Sequence, residues 1–266
     1  MRFRTAILAL SMLPVLAHAL PDHLPAPGGV AVVPLEANGA RPDVRYTDRP
    51  VLTVRDSNGQ WLAVVGIPLS AQPGNHALRV GDREVPFEVH DREYATQRLT
   101  IPNERMVNPL PADLERIASE RPRIVAALNT FNERPPEALR LVAPAEGRRS
   151  SAFGLRRVLN DQPRNPHAGI DIAAPTGTPI HAPAPGIVVE TGDFFYAGNA
   201  VFVDHGSGLI TAYYHMDSIA VAPGQRVETG ATLGTIGATG RVTGAHLHFT
   251  VVLNGQAVDP DLFLEP

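Results

Sequence analysis

Short apolar runs separated by turn-forming clusters divide this chain into two β-rich stretches, with one helical pattern between them. The first stretch carries runs at 30–33, 51–55, 61–66, 76–80 and 84–89. Ser57-Asn58-Gly59, Gln72-Pro73-Gly74-Asn75 and Gly81-Asp82 supply turns between them. A spacing of about ten residues predicts a small antiparallel β-sandwich. Residues 94–101 read as a further strand leaving that unit. Over 111–131, Leu114, Ile117, Ile124, Ala127, Leu128 and Phe131 recur at helical spacing, and Pro122 is expected to kink or divide the helix. Residues 132–147, rich in proline and charge, read as a linker. From Ser150 glycine becomes frequent and β runs return at 187–191, 200–204, 209–214, 233–236 and 246–253. Gly206-Ser207-Gly208 has the composition of a hairpin turn. The expected fold is mainly β: a sandwich domain at 20–95, a strand and helical connector at 96–142, and an all-β domain at 143–266.

The run at 246–253 carries chemistry as well as pattern. Side chains of a strand alternate between its faces, so His246, His248, Thr250 and Val252 share one side. Leu247, Phe249, Val251 and Leu253 take the other and can enter a core. One small volume therefore receives two imidazoles.

Composition narrows the context. Arg2 and Arg4 precede an apolar run at 6–16, and Ala17-His18-Ala19 fits the small-x-small cleavage pattern. Residues 1–19 thus read as a signal peptide, too short and too interrupted by Pro14 to span a membrane. Export to the periplasm is expected, with secretion as the alternative and no membrane insertion after removal of the signal. Cysteine is absent, which excludes disulfides, thiolate metal sites and a lipidated N-terminal cysteine. All 23 basic residues are arginine, so a lysine Schiff base or a biotinyl or lipoyl attachment site is excluded. Without the leader's two arginines the formal charge is −6, which argues against nucleic acid or an anionic membrane as partner.

Six of the ten histidines lie between 167 and 248. His167 and Asp171 are four apart, an even offset that places both on one face if the segment is a strand. A set of His, Asp and His suits zinc, and three protein ligands leave the fourth position for water, as in a catalytic site.

His167-Ala168-Gly169-Ile170-Asp171, Tyr213-Tyr214-His215-Met216 and His246-Leu247-His248-Phe249 occur in this order. Together they closely resemble the lysostaphin-type, or LytM-domain, zinc metallopeptidases of peptidoglycan. Phe153-Gly154-Leu155-Arg156, Val203-Asp204-His205-Gly206, Gly237-Ala238-Thr239-Gly240 and Val258-Asp259-Pro260 extend the resemblance over about 150–262. The resemblance implies a LytM-type peptidase domain binding one zinc through His167, Asp171 and His248, with His215 and His246 as catalytic histidines. It implies an endopeptidase acting on peptidoglycan peptides, expected as a monomer, with room for a regulatory protein partner. The alternative is a non-catalytic LytM-type regulator that activates another wall hydrolase; such regulators lack the zinc ligands, whereas all three positions are filled here. Zinc lowers the pKa of a bound water to about 7 and polarises a carbonyl, while histidine at about 6.5 can shuttle the proton.

In one respect the chain departs from that pattern. Some family members carry a tyrosine shortly before the first ligand, for the oxyanion, and 153–166 contains none. Asp161, Asn165 or a histidine stands in, or the role is absent. The remaining histidines read as structural: His181 packed, His205 hydrogen-bonded at a turn, and His23, His76 and His90 on the surface. Tyr213 shares a strand face with His215 and either lines the groove or packs. Arg241, in a turn beside the site, meets either a substrate carboxylate or solvent.

Overall fold

The computed structural model describes residues 19–37 and 39–265; the leader expected at 1–19 lies, apart from Ala19, outside the described residues. The N-terminal strands are β1 (Val30–Pro34), β2 (Val44–Tyr46), β3 (Arg49–Pro50), β4 (Leu52–Arg55), β5 (Trp61–Gly66), β6 (Gly74–Val80) and β7 (Arg83–Val89). They form two antiparallel sheets, β1-β5-β4 and β3-β2-β6-β7. Ala31, Val33, Ala63 and Val65 meet Val44, Leu78 and Val80 in the core between those sheets. Val30, Leu52, Leu62 and Val64, offset by one residue, point the opposite way into the large C-terminal core. The β1-β5-β4 sheet is thus a middle layer buried on both faces. That explains why 61–66 is an apolar run rather than an alternating one.

The chain continues through β8 (Thr96–Leu99), α1 (Pro111–Leu128), β9 (Arg148–Ser151), β10 (Arg156–Leu159), β11 (Gln162–Pro163), β12 (Ile170–Ala173) and β13 (Pro179–His181). It ends in β14 (Gly186–Phe194), β15 (Gly198–Gly206), β16 (Leu209–Ile219), β17 (Arg226–Val227), β18 (Thr232–Ile236), β19 (Leu247–Leu253) and β20 (Gln256–Val258). The central ladder runs β17-β14-β15-β16-β19-β12-β9, with β20 on β19, β18 on β16 and β13 on β18. In it Asp171 faces His248 across the β12–β19 pair, and His248 faces Tyr214 across β19–β16. Leu247, Phe249, Val251 and Leu253 are completely buried and anchor that register.

Two expectations change here and a third holds. Pro122 does not divide the helix: α1 is continuous, with Pro122 on its exposed side. Its apolar docking comes from the C-terminal half, through Ile124, Ala127 and Leu128 against Phe194, Phe202 and Ala212, whereas Leu114 is 54% exposed. The stretch at 132–147 is no free linker, because Leu139 and Leu141 are buried in the C-terminal core and the Leu141 N–H donates to the Phe263 carbonyl. The strand expected at 94–101 does leave the sandwich: β8 pairs in parallel with β10, beside the site.

One contact ties the middle layer to the central sheet. Asn254 and Gly255, both at positive φ, turn β19 into β20. The Asn254 side chain accepts from the Gly66 N–H at 2.7 Å and donates to the Gly66 carbonyl at 3.0 Å. A Cβ on Gly66 would lie 2.8 Å from Leu253 Cβ, so only glycine lets the strands approach. Asn254→Ala leaves two buried backbone groups without partners, at about 1–3 kcal/mol each. Its thermal midpoint is expected to fall by several degrees in a calorimetric scan, and an unchanged midpoint would show that the contact contributes nothing.

Candidate active site

Three separate chain segments build the site on one face of the central sheet. Asp171 and His248 come from paired strands. His167 lies before β12 rather than on it, so the even-offset argument does not apply. Its position is set by backbone hydrogen bonds from Gly154 N–H to the His167 carbonyl (2.8 Å) and from His167 N–H to the Leu155 carbonyl (2.9 Å). Gly169 makes this crossing possible: a Cβ there would lie 2.3 Å from the Phe249 carbonyl oxygen and 2.9 Å from His248 Nε2.

His167 Nε2, Asp171 Oδ1 and His248 Nδ1 form a triangle with every side 2.9 Å. Among the described residues this is the group whose donor atoms could hold a metal ion. Each side chain is oriented by a second contact. His167 Nδ1 lies 2.6 Å from the Ala152 carbonyl and donates to it, which turns the Nε2 lone pair toward the carboxylate. His248 Nε2 lies 3.0 Å from Thr250 Oγ1. Arg157 donates to Asp171 Oδ2 at 3.0 Å, leaving Oδ1 for the centre.

Burial pushes the His248 imidazole down to about 4, against the opposing pull of Asp171. Burial pushes the Asp171 carboxyl up, but hydrogen bonds and charge from His167 and His248 outweigh it and hold the group well below the usual carboxylate range. His248 is therefore neutral and Asp171 ionised at neutral pH, the protonation states that metal ligation requires. Asp171 Oδ1 lies 2.9 Å from a nitrogen of each imidazole, and a cation at the centre of the three atoms would be shared by all of them. A tetrahedral ion with bonds of about 2.0–2.1 Å separates its donors by about 3.3 Å. The donor set fits a single zinc, which would part the three atoms by a few tenths of an ångström.

His215 and His246 flank the triangle, their rings 4.9 Å apart. His215 Nδ1 donates to the Thr239 carbonyl (2.9 Å) and His246 Nδ1 to the Gly244 carbonyl (2.8 Å), so one turn selects both tautomers. Each presents Nε2 inward, and His246 Nε2 lies 3.7 Å from Asp171 Oδ1. Burial, followed by neighbouring His248 and His246, pushes His215 down to about 3.

His215 sits at φ +65°, in a bulge where Tyr214 and His215 together oppose Ala200. The bulge breaks the alternation expected from sequence. Tyr213 packs wholly in the core, its ring 5.5 Å from Phe249, and Tyr214 lines the groove, its ring 5.2 Å from His248.

The groove, about 510 Å³, is walled by Gln97, Leu99 and Ile101 of the connector on one side and by the 241–246 turn on the other. No described residue of the 20–95 sandwich lines it. Asn165 does, whereas Asp161 is exposed and pairs at 3.5 Å with Arg98. Buried His205 bonds the Pro185 carbonyl and Thr211 Oγ1, each at 2.8 Å, and is structural. Sequence reasoning missed Arg157, Tyr214 and Gly169. Arg157 adjoins a motif arginine, but nothing in a single chain distinguishes the two.

The model of peptidase family M23 matches residues 165–260, and that of the peptidase family M23 N-terminal domain matches 23–92. A solved peptidase M23 structure from Pseudomonas aeruginosa is similar at 43% identity, covering 91% of this chain and 95% of that one, with a TM-score of 0.78. The peptidoglycan DD-endopeptidase ShyA of Vibrio cholerae is 43% identical over 41% of this chain and 26% of its own length. The DD-carboxypeptidase/endopeptidase Mpg of Neisseria meningitidis is 42% identical over 42% of this chain and 26% of its own. The chain thus spans about a quarter of the length of these curated relatives. No helix among the described residues is long and apolar enough to cross a membrane.

Arg157→Gln removes the charge that fixes Asp171. Zinc affinity, read by competition with a chromogenic chelator, is expected to fall about tenfold to a hundredfold. An unchanged affinity would mean that Asp171 needs no such support.

Proposed function

Because the chain belongs to peptidase family M23, we propose that it is an exported zinc-dependent endopeptidase that hydrolyses peptide bonds in peptidoglycan stems or cross-links, acting in the periplasm. The observation that carries this reading is the 2.9 Å triangle of His167 Nε2, Asp171 Oδ1 and His248 Nδ1 with two further imidazoles held beside it. Those three atoms hold one zinc. When bound, zinc supplies Lewis acidity and lowers the pKa of a water to about 7.

The chain's own groups do the rest. His246, with Nδ1–H committed to Gly244, accepts a proton from the attacking water at Nε2 and returns it to the leaving amine. His215 is more deeply buried and far below its ordinary pKa, so it serves as a neutral acceptor that orients the water. Asn165 is the stand-in for the absent tyrosine, since Asp161 is turned away. Connector residues Gln97, Leu99 and Ile101 give the substrate peptide a wall to lie against, which makes the connector the positioning element. All five site side chains come from one chain, so the site needs no second copy.

His246→Ala is expected to keep about one zinc per chain and to lose roughly a hundredfold or more of its activity on purified peptidoglycan. His248→Ala is expected to lose both metal and activity. A chelator should abolish activity, and added zinc should restore it. Mass analysis of released muropeptides identifies the bond cut. A protein that acted only as a regulator would release none without a partner hydrolase, and full activity in His246→Ala would overturn the role assigned to that side chain.

A further inference from the structure

The Thr239 to Gly244 turn that holds both flanking histidines also carries Arg241. The Arg241 backbone N–H donates to the Tyr196 carbonyl at 2.9 Å, and its guanidinium lies 4.5 Å above the Tyr196 ring. The side chain is half-buried in the groove wall, yet among the described residues it makes no ion pair and no side-chain hydrogen bond. Its neighbours in the groove are committed elsewhere. Arg157 is bound to Asp171, and Arg164 donates to the Val107 carbonyl and Gln162 Oε1. Burial lowers the Arg241 pKa, as do the charges of Arg164 and Arg157, although Tyr196 opposes them. Three arginines and a single carboxylate, Asp171, line the groove, in a protein whose formal charge is −4. A desolvated guanidinium with an open fork, in a cationic cleft of an anionic protein, is matched to an anion arriving from outside.

We propose that Arg241, braced on Tyr196, is a subsite for a free carboxylate of an acidic peptide substrate and sets the register of that peptide along the groove. A guanidinium binds a carboxylate through two parallel N–H···O bonds, and stacking on an aromatic ring restrains it in the plane that contact needs. Because the same turn fixes His215 and His246 through the Thr239 and Gly244 carbonyls, a carboxylate seated on Arg241 is held at a set distance from the reacting groups. This subsite deepens the peptidase reading above and rests on it for the position of the scissile bond.

The test uses two cross-linked stem-peptide dimers, one with its carboxylates free and one with them amidated. Binding is measured calorimetrically on the zinc-loaded full chain in a His246→Ala background, with Arg241 intact, Arg241→Gln or Arg241→Lys. With Arg241 intact the free-carboxylate peptide should bind about tenfold or more tightly than the amidated one. Arg241→Gln should erase that preference, and Arg241→Lys, which keeps the charge without the fork, should retain part of it. Unchanged zinc content and thermal midpoint show that the variants are folded. A preference that persists in Arg241→Gln overturns the subsite. If the preference depends on Arg241 but the unsubstituted chain cuts neither peptide nor whole peptidoglycan, the subsite stands and the endopeptidase reading falls. Hydrolysis without an Arg241-dependent preference overturns the subsite alone.

Discussion

Asp171 lies opposite His248 in the β12–β19 ladder, and the rest of the site is built around that pair. A slip of one residue would exchange the two faces of β19, driving Leu247 and Phe249 into the groove and His248 into the core. What prevents the slip is apolar burial on the far face, where Leu247, Phe249, Val251 and Leu253 are fully enclosed. Burying each such side chain is worth about 1.5–3 kcal/mol, so the four together outweigh any single polar contact of the site. The hydrophobic face therefore sets the register and the metal-ligand geometry follows from it.

The polar face is organised by backbone carbonyls. Ala152, Thr239 and Gly244 each accept an Nδ1–H, from His167, His215 and His246 respectively. Each contact fixes a tautomer and aims Nε2 at the common volume, so the imidazoles converge without competing for one another's protons. Two of these acceptors belong to the turn that also presents Arg241, so one short segment sets the places of three groove side chains. Burial contributes as well: it lowers the pKa of both His215 and His248 and so favours their neutral forms.

The N-terminal sandwich participates from behind. Its β1-β5-β4 sheet shares Val30, Leu52, Leu62 and Val64 with the core that supports β19, and the Gly66–Asn254 contact closes the joint. The groove itself takes its outer wall from the connector, where β8 pairs with β10. The two N-terminal parts thus have different duties, support by the sandwich and shaping of the groove by the connector.

Sequence alone gave the mainly β fold, and the resemblance of its motifs to the lysostaphin-type family supplied the class of chemistry. Period-two alternation in 246–253 put His246 and His248 on one face, and the absence of lysine and cysteine removed competing chemistries. Those properties depend on residue type and on spacing within one segment. The convergence of His167 with His248, 81 residues apart, depends on the path of the backbone through Gly169, which no local period encodes. The bulge at His215 decided between the two readings of Tyr213, which packs, and put Tyr214 in the groove, because a single residue at positive φ shifts the alternation. Pro122 was carried within α1, with its ring side facing solvent, and the proline-rich stretch after it was drawn into the core by Leu139 and Leu141. Tertiary structure decided these points because each depends on which surfaces remain to be buried once the central sheet has formed, and that is a property of the whole fold.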